Sequence, residues 1–449
     1  MKFNYQKEID SLRAFAVIPV ILFHLNYNFS PNGYLGVDLF FVISGFVITK
    51  TLIKNKEILG QIEIISFFLR RLKRIYPALI FMIFISSIFV TFFGVTNLNN
   101  YHLYLKTGLF SIFGISNIFL IYKSDDYFLN QENNPFTHTW SLGVEEQFYF
   151  VYPFLLFLIY KISKNKGFNN LTYYIFTIIS ATSLYLFFFN NSIISNFYSP
   201  IIRFWELSLG CLAFFLFKQN KNIINDLYIF IYIPILLIIY FFELNFISYQ
   251  LKTFIVVFLT FLFLLRKQKE IHFTDNILKN KFAIYIGKIS YSLYLWHLPV
   301  IYLTNVYFVN EFFIVFSILL SFIIAHFSYR FIETPIRKST LIDYKIKKFI
   351  KAVPVLLTSF ILLIYFYGFS NSKNLLEKLV DNIYWQTQNL NYVNKNFDLG
   401  NRIEPNYFLN GKDVSKFCFI NKDKIDVKNF EFNKICSKIL DKNKLFILN

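Results

Sequence analysis

Apolar residues in this chain gather into twelve long stretches, near 10–27, 34–53, 75–95, 104–122, 146–160, 171–189, 200–217, 227–242, 250–265, 283–304, 312–329 and 349–369. They run to roughly 17–22 residues, the length an α-helix needs to cross about 30 Å of hydrocarbon. The pattern predicts an all-α polytopic membrane protein. The longer polar connections are those around 50–74, 123–146, 266–282 and 330–348, and a polar tail follows residue 370.

Composition supports the same class. Apolar residues make up 55% of the chain and charged residues only 16%, against about 25% charge in a typical soluble protein. Mean hydropathy is +0.46. The first apolar stretch carries Asp10 and Arg13 at its start and lacks a small-residue cleavage site, so it reads as a retained span rather than a signal peptide. The formal charge of +18 is explained by Lys and Arg collecting in cytoplasmic loops, and it carries no expectation of nucleic acid.

Loop charge sets the topology. The 50–74 connection holds Lys50, Lys54, Lys56, Arg70, Arg71, Lys73 and Arg74. Basic residues also crowd 161–166, 218–221, 266–281 and 330–351, whereas 28–33, 190–199, 243–249 and 305–311 contain no Lys or Arg. If all twelve stretches cross, the alternation fails from the fifth onward. If 104–122 does not cross, every basic loop falls inside. That stretch holds Lys106, Gly108, Gly114 and Asn117, so it is expected to be re-entrant or interfacial. The reading is about eleven transmembrane helices, a cytoplasmic N-terminus and a short polar extracytoplasmic tail. Cys418 and Cys436 then both lie in an oxidising compartment and are expected to form a disulfide, with two free thiols as the alternative. Cys211, inside a span, reads as a packing residue.

Charged side chains inside spans are costly, so each needs a reason. Arg13 and His24 share a face of the first span, with His24 about 16 Å further out. Asp38 opens the second span; Glu145 and Glu146 open the span after the long outer loop. Arg203 and Glu206 are three apart, a spacing at which they pair with each other. His297 lies in the outer half of the span that carries Ser290, Tyr291 and Tyr294. Each histidine alone reads as a hydrogen-bonded packing residue. Several at one depth, beside carboxylates, suggest equipment for removing a proton from a hydroxyl. At the inner face, Arg70, Arg71, Lys73 and Arg74 precede the third apolar stretch, with Arg71 and Arg74 projecting to one side. Positive-inside anchoring accounts for any one of them; guanidinium forks at a helix start also suit phosphate.

Six runs resemble one family in order: Glu8–Ala14 (EIDSLRA) with His24 downstream, Gly36–Phe46 (GVDLFFVISGF), Phe68–Pro77 (FLRRLKRIYP), His138–Tyr149 (HTWSLGVEEQFY), Ser290–Pro299 (SYSLYLWHLP) and Arg330–Arg337 (RFIETPIR). The chain resembles the membrane-bound acyltransferase family three over residues 5–340. The resemblance implies transfer of an acyl group, usually acetyl, from cytoplasmic acyl-CoA to a hydroxyl of a surface polysaccharide such as lipopolysaccharide O-antigen, capsule or peptidoglycan. It implies His24, Glu145 and Arg13 as catalytic, and Arg70, Arg71 and Arg74 as donor-binding. Asp10, Asp38, Trp140, Ser141, Tyr149, Arg203, Glu206, Tyr294, His297 and Glu333 become acceptor-side or supporting residues. Acetyl-CoA is then a donor substrate, with no permanently bound cofactor and no metal. The expected partners are the lipid bilayer, acyl-CoA and a surface or lipid-linked glycan, in a bacterial inner membrane.

The domain reading is 1–340 acyltransferase, 341–370 linking span, and 371–449 an extracytoplasmic segment. That segment resembles the start of a two-domain subgroup's SGNH hydrolase-type domain, although no Gly-Asp-Ser occurs in the sequence. The competing functional readings are a membrane transporter of glycan precursors or small molecules, which would favour internal repeats, and an inactive paralogue with an assembly or sensor role.

Overall fold

The computed structural model describes residues 6–59, 63–93, 98–123, 134–163, 167–190, 192–218, 228–266, 279–307, 312–338, 408–409 and 412–413. Two units are separated near residue 380. The first is a helical bundle. In the second, Phe408–Leu409 and Lys412–Asp413 pair as short antiparallel strands. The expected span 349–369 and the Cys418/Cys436 pair lie outside the described residues.

The bundle comprises α1 (Lys7–Leu25), α2 (Gly36–Leu59), α3 (Ile64–Phe93), α4 (Leu98–Ile112), α5 (Ser116–Lys123), α6 (Trp140–Ile162), α7 (Phe168–Phe189) and α8 (Ile193–Tyr198). It continues with α9 (Pro200–Lys218), α10 (Ile229–Phe241), α11 (Tyr249–Leu264), α12 (Lys281–Tyr307), α13 (Phe312–Phe327) and α14 (Thr334–Lys338). Among the described residues, six helical segments are long and apolar enough to cross a membrane. The chain is an all-α, multi-pass membrane protein. Many large apolar side chains on the outside of the bundle are exposed, including Phe150, Leu158, Ile178, Phe189 and Leu319. In water they would be a liability; in lipid they are the solvated surface.

Helices α1 and α12 are not among the six, despite having 19 and 27 residues. Their polar side chains explain why: Glu8, Asp10, Arg13 and His24 on one, Lys288, Ser290, Tyr291 and His297 on the other. The two pack extensively against each other, so much of that polarity faces protein rather than lipid. Gly287 makes the approach possible, since a Cβ there would sit 1.7 Å from the backbone oxygen of Asp10. Close helix contact through a small residue is the usual means of association where lipid removes the hydrophobic incentive.

The stretch 104–122 is not one continuous helix. Residues 98–112 and 116–123 form separate helices of 15 and 8 residues, each short of the roughly 20 residues a crossing needs. The break is at Gly114, whose φ of +67° is left-handed, a region L side chains avoid. A Cβ there would also lie 2.4 Å from Glu146 Oε2.

Side-chain bonds identify which loops share an end of the bundle. At one end, Arg266 pairs with Glu8 at 2.9 Å and Lys50 donates to Gln6 at 2.9 Å. At the other, Asn32 donates to the Ile239 and Phe242 carbonyls at 2.9 and 3.0 Å, and Lys252 donates to Asn32 at 3.0 Å. The connections flanking Asn32 and Phe242 thus lie together, opposite the end where α1 begins.

Replacing Gly287 by Val should part α1 from α12 and cost at least about 1–3 kcal/mol as overpacking. The expected outcome is a clearly lowered melting temperature of the detergent-solubilised protein. An unchanged melting temperature would show that the helices do not meet there.

Candidate active site

A cleft of about 720 Å³ of empty space is enclosed by α1, α2, α3, α6 and α12. Its polar lining comprises Arg13, Arg71, Arg74, Glu145 and Tyr149, with Ser44, Ser141, Ser290, Tyr291 and Tyr294; its apolar walls include Val37, Phe40 and Leu142. Three guanidinium groups therefore meet one carboxylate. The Glu145 carboxylate accepts a short hydrogen bond from Ser44 Oγ and lies within the field of Arg71, Arg74 and Arg13. Arg71 also sits 4.9 Å from the centre of the Tyr149 ring, which helps hold the guanidinium without a second carboxylate. Asp10 lies 3.7 Å from Arg13 on the preceding turn of α1. The lining itself carries more guanidinium groups than carboxylates, with Asp10 behind it as a further counter-charge, and forked donors at such a lining suit an anion.

The arginines are not at a helix start, as the apolar pattern suggested. Helix α3 begins at Ile64, so Arg70–Arg74 lie in its second and third turns, where their backbone N–H groups are already paired. Their side chains, rather than a helix terminus, supply the positive field. Arg70 is exposed and does not line the cleft. Arg71 and Arg74 both line it.

Glu333 occupies a π-helical stretch, Ser328–Glu333, between α13 and α14. Such stretches are rare and recur at functional sites. Its carboxylate accepts from Ser292 at 3.0 Å and from Arg337 at 3.3 Å, and it also feels Arg74 and Arg13. It is a buried counter-charge beside the arginines.

A second grouping is made of histidines. The rings of His24 and His297 are 5.2 Å apart, and those of His138 and His297 are 5.1 Å apart. All three are buried. His297 Nδ1 lies 2.6 Å from the Tyr294 carbonyl, and His138 Nε2 lies 3.1 Å from the Leu295 carbonyl. A carbonyl only accepts, so these nitrogens carry the protons. The opposite nitrogens, His297 Nε2 and His138 Nδ1, are then basic lone pairs, and neither has a hydrogen-bond partner among the described residues. Backbone geometry thus orients both imidazoles, and for His297 it turns the basic Nε2 side away from the carbonyl that holds Nδ1.

Tyr294 joins the two groupings. Its hydroxyl lines the arginine cleft and donates to the His138 carbonyl at 2.9 Å, while Ser141 donates to it at 2.7 Å. Its ring lies 5.4 Å from His138 and 5.3 Å from His297. The turn bearing His138 is itself pinned: Thr139 and Ser111 hydroxyls meet at 2.5 Å, and Ser116 donates to the Thr139 carbonyl at 3.0 Å. The broken helices α4 and α5 therefore act as the buttress of His138.

Two expectations need correction. The sequence grouped the histidines with carboxylates, and Glu145 with His24. The structure instead brings Glu145 to the arginines and His24 to His297. It ties Asp38 and Glu206 to Arg203, both at 2.7 Å, fully buried. Phe41, Trp140, Phe187 and Phe197 surround that guanidinium within 6 Å, so Trp140 supports this knot rather than the histidines. The physical reason is charge: a buried carboxylate needs a full positive partner, which a guanidinium always provides and an imidazole does not. Sequence reasoning missed His138 as a site residue. It precedes the apolar run at 146–160, so a search inside spans passes it by; its place two residues before Trp140 was the available signal. Among the described residues, no three His, Cys, Asp or Glu side chains are grouped to hold a metal ion.

A family model described as an acyltransferase domain matches residues 6–330. O-acetyltransferase OatA of Staphylococcus aureus (strain NCTC 8325 / PS 47) is 34% identical over 352 residues, covering 75% of this chain and 58% of that relative. A putative O-acetyltransferase, SAS0844, of Staphylococcus aureus (strain MSSA476) is 34% identical over 361 residues, with the same coverage. The chain spans a little over half the length of these relatives. No solved structure matches.

Removing Arg203 alone should leave two buried carboxyl groups without a counter-charge, at a cost of about 3–5 kcal/mol. Replacing all three members (Asp38→Asn, Arg203→Met, Glu206→Gln) should recover much of it. Folded yield and melting temperature test this; equal losses for the single and triple variants would mean the three do not act as a unit.

Proposed function

The chain belongs to the acyltransferase-domain family, and from that premise we propose that it is an O-acyltransferase. It moves a short acyl group, foremost acetyl, from acyl-CoA at the cytoplasmic face to a hydroxyl of a surface polysaccharide or its lipid-linked precursor at the other. The relatives' names speak of O-acetyl transfer, and this reading extends that chemistry to the present chain. The transporter alternative has no comparable support.

The observation that carries the proposal is the division of the polar interior. Arg13, Arg71 and Arg74 in one cleft offer forked donors for the phosphates of a CoA thioester. The thioester arm then points along the cleft to Ser141 and Tyr294, beyond which the histidines begin. There His24, beside His297, takes the proton from the acceptor hydroxyl as its oxygen bonds to the acyl carbon. The carbon–sulfur bond breaks, and CoA leaves as thiolate. Protonation of that thiolate, and release of the histidine proton to water, complete the balance. Positioned proton removal of this kind is worth about 10²–10⁴ in rate.

The loop charges suggest how the protein sits. The end carrying Glu8, Lys50 and Arg266 faces the cytoplasm in this reading, with about eleven crossings. The Asn32 end faces outward, in the inner membrane of a bacterium. A single cysteine at Asn28 should then react with an impermeant reagent on intact cells, and one at Lys161 only after permeabilisation. The reverse pattern would invert the orientation.

The functional test compares surface-glycan mass in cells carrying wild-type protein, His24→Ala, or none. Wild type should add acetyl groups, and His24→Ala should match the empty cells while remaining inserted. Full acetylation by His24→Ala would remove it from the reaction.

A further inference from the structure

We propose that a second cavity, at the Asn32 end of the bundle, is the binding site of the acyl acceptor, and that it selects an uncharged, polyhydroxylated ring. This rests on the acyltransferase reading above. The cavity has about 530 Å³ of empty space, part of it open to the outside, and is lined by His24, Asn134, Tyr302 and Asn305 over an apolar floor that includes Leu298 and Phe313.

Its position is set by helix ends. His24 is the penultimate residue of α1, Asn305 is two residues from the end of α12, and Phe313 is the second residue of α13. Arg13 lies eleven residues earlier on α1, about 16 Å from His24 along the axis. The cavity is therefore displaced from the arginine cleft along α1, and the two share no lining residue.

The lining chemistry points to a class of ligand. Among the described residues, no charged side chain lines it. A carboxylated or cationic ligand would be desolvated without a counter-charge. A purely apolar chain would strand the amides. Two amides, a phenol and an imidazole over an aliphatic and aromatic floor suit a neutral sugar, with hydroxyls at the rim and C–H faces below. Asn134 is preset for this: its amide donates to Thr107 at 2.9 Å and accepts from the Phe136 N–H at 3.0 Å. Among the described residues, that leaves one N–H and one lone pair without a partner. Asn305 makes no hydrogen bond among the described residues, so its whole amide is available to a ligand. His24 reaches the same cavity, which sets a bound hydroxyl beside the proposed base.

The experiment uses the full chain in membranes, with glycan acetylation read by mass and donor affinity read with labelled acetyl-CoA. Asn305→Ala should lower acetylation by about three- to tenfold, the worth of one or two hydrogen bonds. Ile301→Trp, which fills the cavity, should abolish most of it. Donor affinity should stay within about twofold of wild type in both, since neither touches the arginine cleft. Asn305→Asp should be worse than Asn305→Ala; better acetylation by the aspartate would mean a cationic acceptor and overturn the neutral class. Unchanged acetylation in Asn305→Ala and Ile301→Trp, or a parallel fall in acetyl-CoA affinity, would overturn the site. If wild type adds no acetyl groups, or binds no acetyl-CoA, the acyltransferase reading itself fails, whatever the cavity variants do.

Discussion

Charge neutralisation inside a low-dielectric bundle organises this protein. Arg203 bridges Asp38 and Glu206 at 2.7 Å in a fully buried knot, and Phe41, Trp140, Phe187 and Phe197 close over it. The knot fixes α2 against α9. Because α2 also carries Ser44, and α6 carries Trp140, Ser141 and Glu145, the same interaction sets one wall of the arginine cleft. Two further carboxylates follow the same rule, Glu333 with Arg337 and Glu145 among Arg13, Arg71 and Arg74, while Glu146 is held by the Tyr76 hydroxyl at 3.1 Å. The histidines instead meet one another and backbone carbonyls, and that is where neutral acid–base chemistry is possible.

The two groupings depend on different kinds of support. The arginine cleft is held by side-chain electrostatics, with Ser44, Tyr149 and Glu145 balancing the guanidinium groups. The histidines are held by backbone carbonyls of α12 and by the buttress of α4 and α5. Tyr294 and Ser141 touch both. A donor with an anionic head and a reactive acyl end matches this sequence of environments along the bundle, from charged to neutral.

Much of the architecture was legible in the sequence because membrane constraints are strong. Apolar length gives the helices, and the weak stretch 104–122 shows its break at Gly114 in the residues that weakened it. Arg13, Arg71, Arg74 and Glu145 share a cleft because residues three or four apart on a helix face one way, and α1, α3 and α6 turn those faces together. The partner of each charge was not legible. Spacing along one helix located Arg203 beside Glu206, but Asp38 comes from α2, over 160 positions away. Depth alone put carboxylates with histidines; pairing energy separated them. His138 was hidden because it lies in a turn ahead of its apolar run, and only the folded chain brings it to His297.

The central claim is that donor binding and proton transfer reside in separate groupings of one interior. The direct measurement is acetyl-CoA affinity of the purified full chain, compared between Arg71→Met and His24→Ala. The account predicts that Arg71→Met weakens binding by about ten- to a hundredfold, the worth of a charge-assisted phosphate contact, while His24→Ala binds as wild type and transfers nothing. Equal loss of affinity in both variants, or normal binding by Arg71→Met, would contradict it.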